Sequence, residues 1–363
     1  MSRAMAMVFA LVASLDMAAA QVPSGYARSD GVNSVVVRGK RGNVIEHYLD
    51  GDRWRLADLS AIATAPPAAS DPVGYRRSDG VNALNVVVGR GEIAELYLDE
   101  TWRYANLSQL TGAPPAVGKP SSYARTDQVN SVTYRGKNGH IHELYLTPGA
   151  SWQVADLTAI VSAPLAASDP SAYGRADGVN AIVYRGSDDH IHELYLAEGS
   201  WQVADLTALT GAPLAAGRPS AYARSDKVNA IVYRAAGGRI VELYLNPGSS
   251  WQMADLSAIA NASAAAGDPW GYARSDGVNA VVYRAAKGHI HELYLSPGAS
   301  WQVADLSAIA GAPPSASDPA PYARSDRVNS IVFSGKNRHV YELYLTPGDS
   351  WRAADLSLVA AAK

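Results

Sequence analysis

Three side chains able to do polar chemistry recur along the chain at matching intervals: a carboxylate, an indole and a guanidinium. The glutamates are Glu46, Glu95, Glu143, Glu193, Glu242, Glu292 and Glu342, each inside an apolar stretch such as Ile191-His192-Glu193-Leu194-Tyr195-Leu196. The tryptophans are Trp54, Trp102, Trp152, Trp201, Trp251, Trp301 and Trp351. The arginines form two series. One closes a Tyr-x-Arg motif, as in Tyr173-Gly174-Arg175, and the other ends the next apolar run, at Arg38, Arg135, Arg185, Arg234 and Arg284. A carboxylate among apolar neighbours must be paired or solvated, since an isolated buried charge is very costly. Two readings stay open. In one, Glu and Arg line a polar pocket closed on one side by an aromatic ring. Such a pocket suits a sugar, whose hydroxyls take charge-assisted hydrogen bonds while its C–H face lies on the ring. Its residues would be Arg135, Glu143 and Trp152; Arg185, Glu193 and Trp201; Arg234, Glu242 and Trp251; and Arg284, Glu292 and Trp301. In the other, Arg and Glu are ion pairs between repeats and the tryptophan plugs a hairpin.

Other candidate chemistry is weaker. His140 with His142, His190 with His192, and His289 with His291 stand two residues apart, so each pair projects from one strand face as two possible metal ligands. No third ligand is evident from the spacing, so these are read as surface or packing histidines and no metal or other cofactor is expected. In the Arg-Ser-Asp-Gly-Val-Asn segment, Asp177 and Asn180 are expected to hold turn amides. No P-loop, nucleophile elbow, sialidase-type Asp box or His-Glu-x-x-His motif is present, and no unit carries a special cluster, so an enzyme is not expected. Trp270, in Asp-Pro-Trp-Gly, is the one tryptophan added outside the pattern; it reads equally as a chance substitution or as a special site.

The elements that must position these residues come from the repeat itself. The tryptophans and the Tyr-x-Arg tyrosines (Tyr26, Tyr75, Tyr123, Tyr173, Tyr222, Tyr272, Tyr322) both count seven at a period near 50 residues. Units therefore fall at about 21–70, 71–118, 119–168, 169–217, 218–267, 268–317 and 318–363. In the fourth unit four strand-forming stretches, Ala172–Arg175, Val179–Arg185, His190–Leu196 and Trp201–Leu206, are separated by short turns rich in Asp and Gly. The longer connection from Thr207 to Pro219 is expected to cross back to the inner strand of the next unit. Both faces of His190–Leu196 are substantially apolar, as a sheet sandwiched between two others requires. Four strands per unit and seven units predict an all-β chain folded as a seven-bladed β-propeller of four antiparallel strands per blade. Two modes of closure stay open, packing of whole blades and a strand exchanged between the ends.

Composition narrows the partners. The 363 residues include no cysteine, so packing alone must hold the fold. A net charge of −3, with basic residues scattered, gives no field to collect phosphates, and nucleic acid is not expected as a partner. Residues 1–20 differ from the rest: Arg3, an apolar run from Ala4 to Leu15, then Ala18-Ala19-Ala20. Despite Asp16 they read as a secretory signal peptide, predicting export to the periplasm or beyond. No other stretch is long and apolar enough for membrane insertion.

The pattern Val-Asn-Ala-Ile-Val-Tyr-Arg-Gly, His-Ile-His-Glu-Leu-Tyr-Leu and Gly-Ser-Trp, repeated through Gln21–Lys363, resembles the blades of bacterial seven-bladed propeller lectins and, more distantly, the six-bladed fucose lectins of fungi and bacteria. The resemblance implies a multivalent lectin with sugar in clefts between blades, glycans as partners and fucose or a related sugar as ligand. It carries the family's glutamate to Glu193 and its blade-end aromatic to Trp201. The family's arginine would sit nearer Ala181 or Ser131, whereas this chain places Arg185 at the strand's end. The alternative is a non-catalytic scaffold that binds another protein or a surface polymer.

Overall fold

The computed structural model describes residues 20–360; the expected leader lies outside the described residues except for Ala20. Seven sheets, each of four strands in sequence order, make up the chain. In the fourth blade the strands are Ser171–Gly174, Asn180–Arg185, Ile191–Ala197 and Ser200–Asp205, within two residues of those expected at either end. Tight turns join them into an antiparallel meander. Gly174 lies opposite Asn180, Asn180 opposite Leu196, and Leu196 opposite Trp201, so the first and third turns share one face of the ring. Position 178 is a glycine at φ 85°, a left-handed turn conformation that costs glycine little.

The core is made between blades. One apolar cluster joins Tyr173, Val183 and Ile191 of the fourth blade to Ile231, Tyr233 and Leu243 of the fifth. Another joins Val35 and Val37 of the first blade to Tyr322, Val332 and Val340 of the seventh. Among the described residues the first sheet holds only its own four strands and none is exchanged, so whole blades close the ring by packing.

The connection after the fourth strand differs from expectation. Leu206–Thr210 is one turn of α-helix, and Asp205 caps it by accepting from the Ala208 amide at 2.9 Å. Leu206 is the buried foot of this helix rather than the end of the strand. Thr207 Oγ1 accepts from the Ile191 amide at 2.8 Å, satisfying the start of the third strand. The same Asp/Asn-Leu-Ser/Thr device recurs in all seven blades, from Asp58 to Asp355. No helix among the described residues is long and apolar enough to cross a membrane.

Candidate functional site: the clefts between blades

Each repeated glutamate is buried at the middle of its third strand; Glu193 is 1% exposed and lies opposite Val183 and Ala204. Its ionic partner is the arginine of Tyr-x-Arg, not the one ending the second strand. Arg175 reaches Glu193 at 3.5 Å, Arg125 reaches Glu143 at 3.4 Å, Arg224 reaches Glu242 at 3.4 Å and Arg274 reaches Glu292 at 3.3 Å. The same arginine grips an exposed aspartate two residues on, Arg175 to Asp177 at 2.5 Å. Its guanidinium carbon lies over the tryptophan of the following blade, Arg175 over Trp251 at 5.8 Å and Arg125 over Trp201 at 5.8 Å. All seven junctions share this arrangement, including Arg324 over Trp54 across the closure.

The expected sets are therefore regrouped. Glu143 is brought together with Trp201, Glu193 with Trp251 and Glu242 with Trp301, each one blade apart, while Trp152 joins Arg77 and Glu95. Arg135, Arg234 and Arg284 point to the other end of the blade and pair with Asp169, Asp268 and Asp318 of the next blade at 3.5, 3.2 and 3.3 Å. Arg185 pairs with Asp189 instead. The physical reason is register: the second-strand arginine lies opposite the first residue of the third strand, as Arg185 lies opposite Ile191, two residues from the glutamate's level. An aspartate is nearer there.

Electrostatics divide the blades into two kinds. Burial pushes Glu193, Glu95, Glu242 and Glu292 up to about 7, against the pull of their arginines. In the other three blades a serine on the second strand donates to the glutamate, Ser131 Oγ to Glu143 at 2.7 Å, with Ser34 and Ser330 alike. Those carboxyls are also raised by burial, and the hydroxyl opposes the shift. That second-strand position faces the glutamate and carries Ser or Ala rather than arginine.

Sequence reasoning missed the clasp between blades. The amide of Thr126 donates to Asn180 Oδ1 of the next blade at 2.8 Å, and Ala176 to Asn229 at 2.7 Å, so Asn180 holds its neighbour rather than its own turn. Asp177 does accept within its turn, from the Val179 amide at 3.4 Å. Beside this clasp, between the fourth and fifth blades, opens a cleft of about 300 Å³ lined by Arg175, Asp177, Lys227, Asn229, Asn246 and Ser249. That volume is at the low end for small-ligand sites, about 300–1,000 Å³.

The histidines do acquire a carboxylate that spacing alone concealed. His190 Nδ1 lies 2.7 Å from the helix-capping Asp205, and His289 2.7 Å from Asp305. Asp188, His190 and Asp205, and His289, His291 and Asp305, could each present three ligand atoms to a cation. Asp205 and Asp305 already hold a helix amide, of Ala208 or Ala308, and a histidine, and Asp188 accepts from the His190 amide and lies against His192 Nε2.

The fold defines a seven-bladed β-propeller with one Arg-Trp arrangement repeated at its junctions and a polar cleft between the fourth and fifth blades. No protein-family model and no curated protein matches the chain by sequence. Among solved structures it is similar to the BP39L lectin of Burkholderia pseudomallei, at TM-score 0.74 and 9% identity over 92% of this chain and 98% of that one. It is also similar to the Aleuria aurantia lectin solved with Fucα1-6GlcNAc, at TM-score 0.52 and 13% identity over 92% and 94%. At such identities the likeness is one of fold.

Proposed function

We propose that this chain is an exported, non-catalytic, multivalent lectin that takes sugars at the mouths of its inter-blade clefts. The observation that carries the reading is the opening between Arg175 and Asp177 of one blade and Asn246 and Ser249 of the next, an amphiprotic rim on an architecture shared with propeller lectins. A hydroxyl-rich ligand meets there a paired guanidinium and carboxylate, a side-chain amide and a hydroxyl, which supply both donors and acceptors. Glu193 lies beneath the ion pair and acts by holding Arg175, a positioning role, while Trp251 fixes the guanidinium plane. One shallow site of this kind binds at about −4 to −8 kcal/mol, so useful affinity comes from several sites on one glycan surface.

Glycan-array screening of the full chain, followed by calorimetry with methyl α-fucoside, tests the reading. Saturable binding at more than one site per chain is expected. Ser249→Tyr, which fills one cleft without touching an ion pair, should lower the number of sites by about one, as a blocked pocket does. A chain that binds no glycan on the array sinks the proposal. A second reading, a protein- or surface-binding scaffold, is favoured by exposed aliphatic residues at matching places on the one-turn helices, among them Leu110, Ile160, Leu209 and Ile309.

A further inference from the structure

We propose that the axial mouth of the ring, on the face opposite the clefts, binds a small oxyanion (a sulfate, phosphate or carboxylate group) at Lys119, with Arg218 nearby. The argument starts from the residue before the proline that opens each innermost strand. In four blades it is Asp71, Asp169, Asp268 or Asp318. Each accepts from the backbone of the preceding blade: Asp71 from Val22 at 2.9 Å, Asp169 from Lys119 at 2.9 Å, Asp268 from Arg218 at 3.1 Å and Asp318 from Asp268 at 3.2 Å. Each is also neutralised by a second-strand arginine of that blade, Arg38, Arg135, Arg234 and Arg284 in turn. These carboxylates are fully committed.

Two blades break the pattern with cations. Lys119 replaces aspartate in the third blade, and the arginine that would oppose it is replaced by Val87 in the second. Arg218 replaces aspartate in the fifth, and Arg185 turns away to Asp189. Both cations lie on the indole of Trp270, Lys119 Nζ at 5.4 Å and the Arg218 guanidinium carbon at 5.0 Å from the ring centroid. The added aromatic thus collects two positive groups from the third and fifth blades. The Lys119 Nζ is shielded from solvent, although its stem keeps some exposed surface, and it has no hydrogen-bond partner among the described residues. An ammonium so placed lacks three acceptors, and such a group is expensive to leave unsatisfied. Beside it is a cavity of about 730 Å³ lined by Lys119 together with Arg38, Asp71, Arg90, Lys137 and Asp169, while Arg218 and Trp270 border Lys119 outside that lining. With Asp71 and Asp169 paired, the surplus charge there is positive. An oxyanion would give Nζ its missing acceptors and offset the repulsion between Lys119 and Arg218.

Burial and Arg218 push the Lys119 ammonium down to about 8, with Asp71 and Asp169 opposing. Arg218, Asp71, Asp169, Arg38, Arg90 and Lys137 are the charged groups around it, and sulfate, whose own charge is constant over this range, should bind fully near pH 6 and more weakly as pH rises through about 8. The inference rests on Lys119, Arg218, Trp270 and the cavity beside them, and is independent of the sugar clefts.

Calorimetry on the full chain with sodium sulfate and sodium phosphate, ionic strength held constant with sodium chloride, is the test. One saturable site per chain is expected, weakened about tenfold or more in Lys119→Met, the size expected for a lost charged hydrogen bond. Glucuronate and glucose, run alongside, separate the sources: glucuronate binding more tightly than sulfate identifies an acidic sugar, and sulfate or phosphate binding more tightly identifies a free inorganic ion. A second measurement uses the unaltered protein, so that misfolding of the variant decides nothing: at pH 8 binding should take up a proton, read as a heat that changes with buffer ionisation. No saturable site for any of these anions, equal affinity in Lys119→Met, or affinity flat from pH 6 to pH 9 would each overturn the proposal.

Discussion

At the scale of single residues, the decisive feature is one atom on the second strand. Glu193, Glu95, Glu242 and Glu292 face alanine and are held near 7 by burial, whereas Glu143, Glu46 and Glu342 accept from serine. A carboxyl raised in the fold favours its protonated form there, so its contribution to stability is present below its ordinary value of 4.5 and is lost as pH rises through about 7. Histidines run the other way: burial lowers His47 to about 4 and also lowers His142 and His291, so they cost stability as pH falls below 6.5. A bare melting curve mixes the two, and the informative quantity is a difference. The combined variant Ala83→Ser, Ala181→Ser, Ala230→Ser and Ala280→Ser should gain melting temperature relative to the parent between pH 5 and pH 8, because the new hydroxyls stabilise the ionised carboxylates. Thermal scans across that range check it, and parallel curves for the two proteins would remove the serine as the cause.

At the scale of the element, the third turn and the clasp show what a repeat leaves legible. Four strands per unit could be read because both strand faces are apolar and the turns carry Asp and Gly. The one-turn helix could not, because five residues give no helical period, although Asp205-Leu206-Thr207 is a capping signature in hindsight. Which arginine meets Glu193 was equally hidden: Arg175 and Arg185 are both close in sequence, and the choice depends on Asp177 and on aspartates about 34 residues away, such as Asp268 for Arg234. Cleft partners could be named by type but not assigned to blades, since the tryptophan comes from the following unit. The clasp itself yields a prediction. In six junctions a Ser or Thr hydroxyl reinforces it by donating to a carbonyl of the next blade, as Thr126 does to Gly178 at 2.7 Å and Ser225 to Gly277 at 2.7 Å. Ala176 lacks that hydroxyl. Ala176→Ser should restore the bond and add about 0.5–1.5 kcal/mol to stability, measurable by denaturant titration. An unchanged midpoint would mean that solvent already satisfies the carbonyl.

At the scale of the whole molecule, seven junctions are chemically alike but one has no covalent link across it. The amide of Ser325 in the last blade donates to Asn33 Oδ1 in the first at 2.8 Å, and the Ser325 hydroxyl to the Gly31 carbonyl at 2.6 Å. Apolar packing of Val35 and Val37 against Val332 and Val340 completes the seam. Elsewhere the chain tethers neighbouring blades, so a junction that opens recloses at high effective concentration. At the seam, reclosing must bring together ends about 300 residues apart in sequence, a loop-closure cost that the intact ring holds in check. Asn33→Ala and Asn180→Ala remove the same bond, and each should cost about 1–3 kcal/mol of equilibrium stability by stranding an amide. Their local effects should differ. Hydrogen exchange should show the innermost strand of the first blade, Ser24–Ala27, losing protection in Asn33→Ala, while Ser171–Gly174 stays protected in Asn180→Ala because the tethered fourth blade reseats. Equal loss at both strands would mean that the tether contributes nothing and that the ring opens at any junction with the same ease.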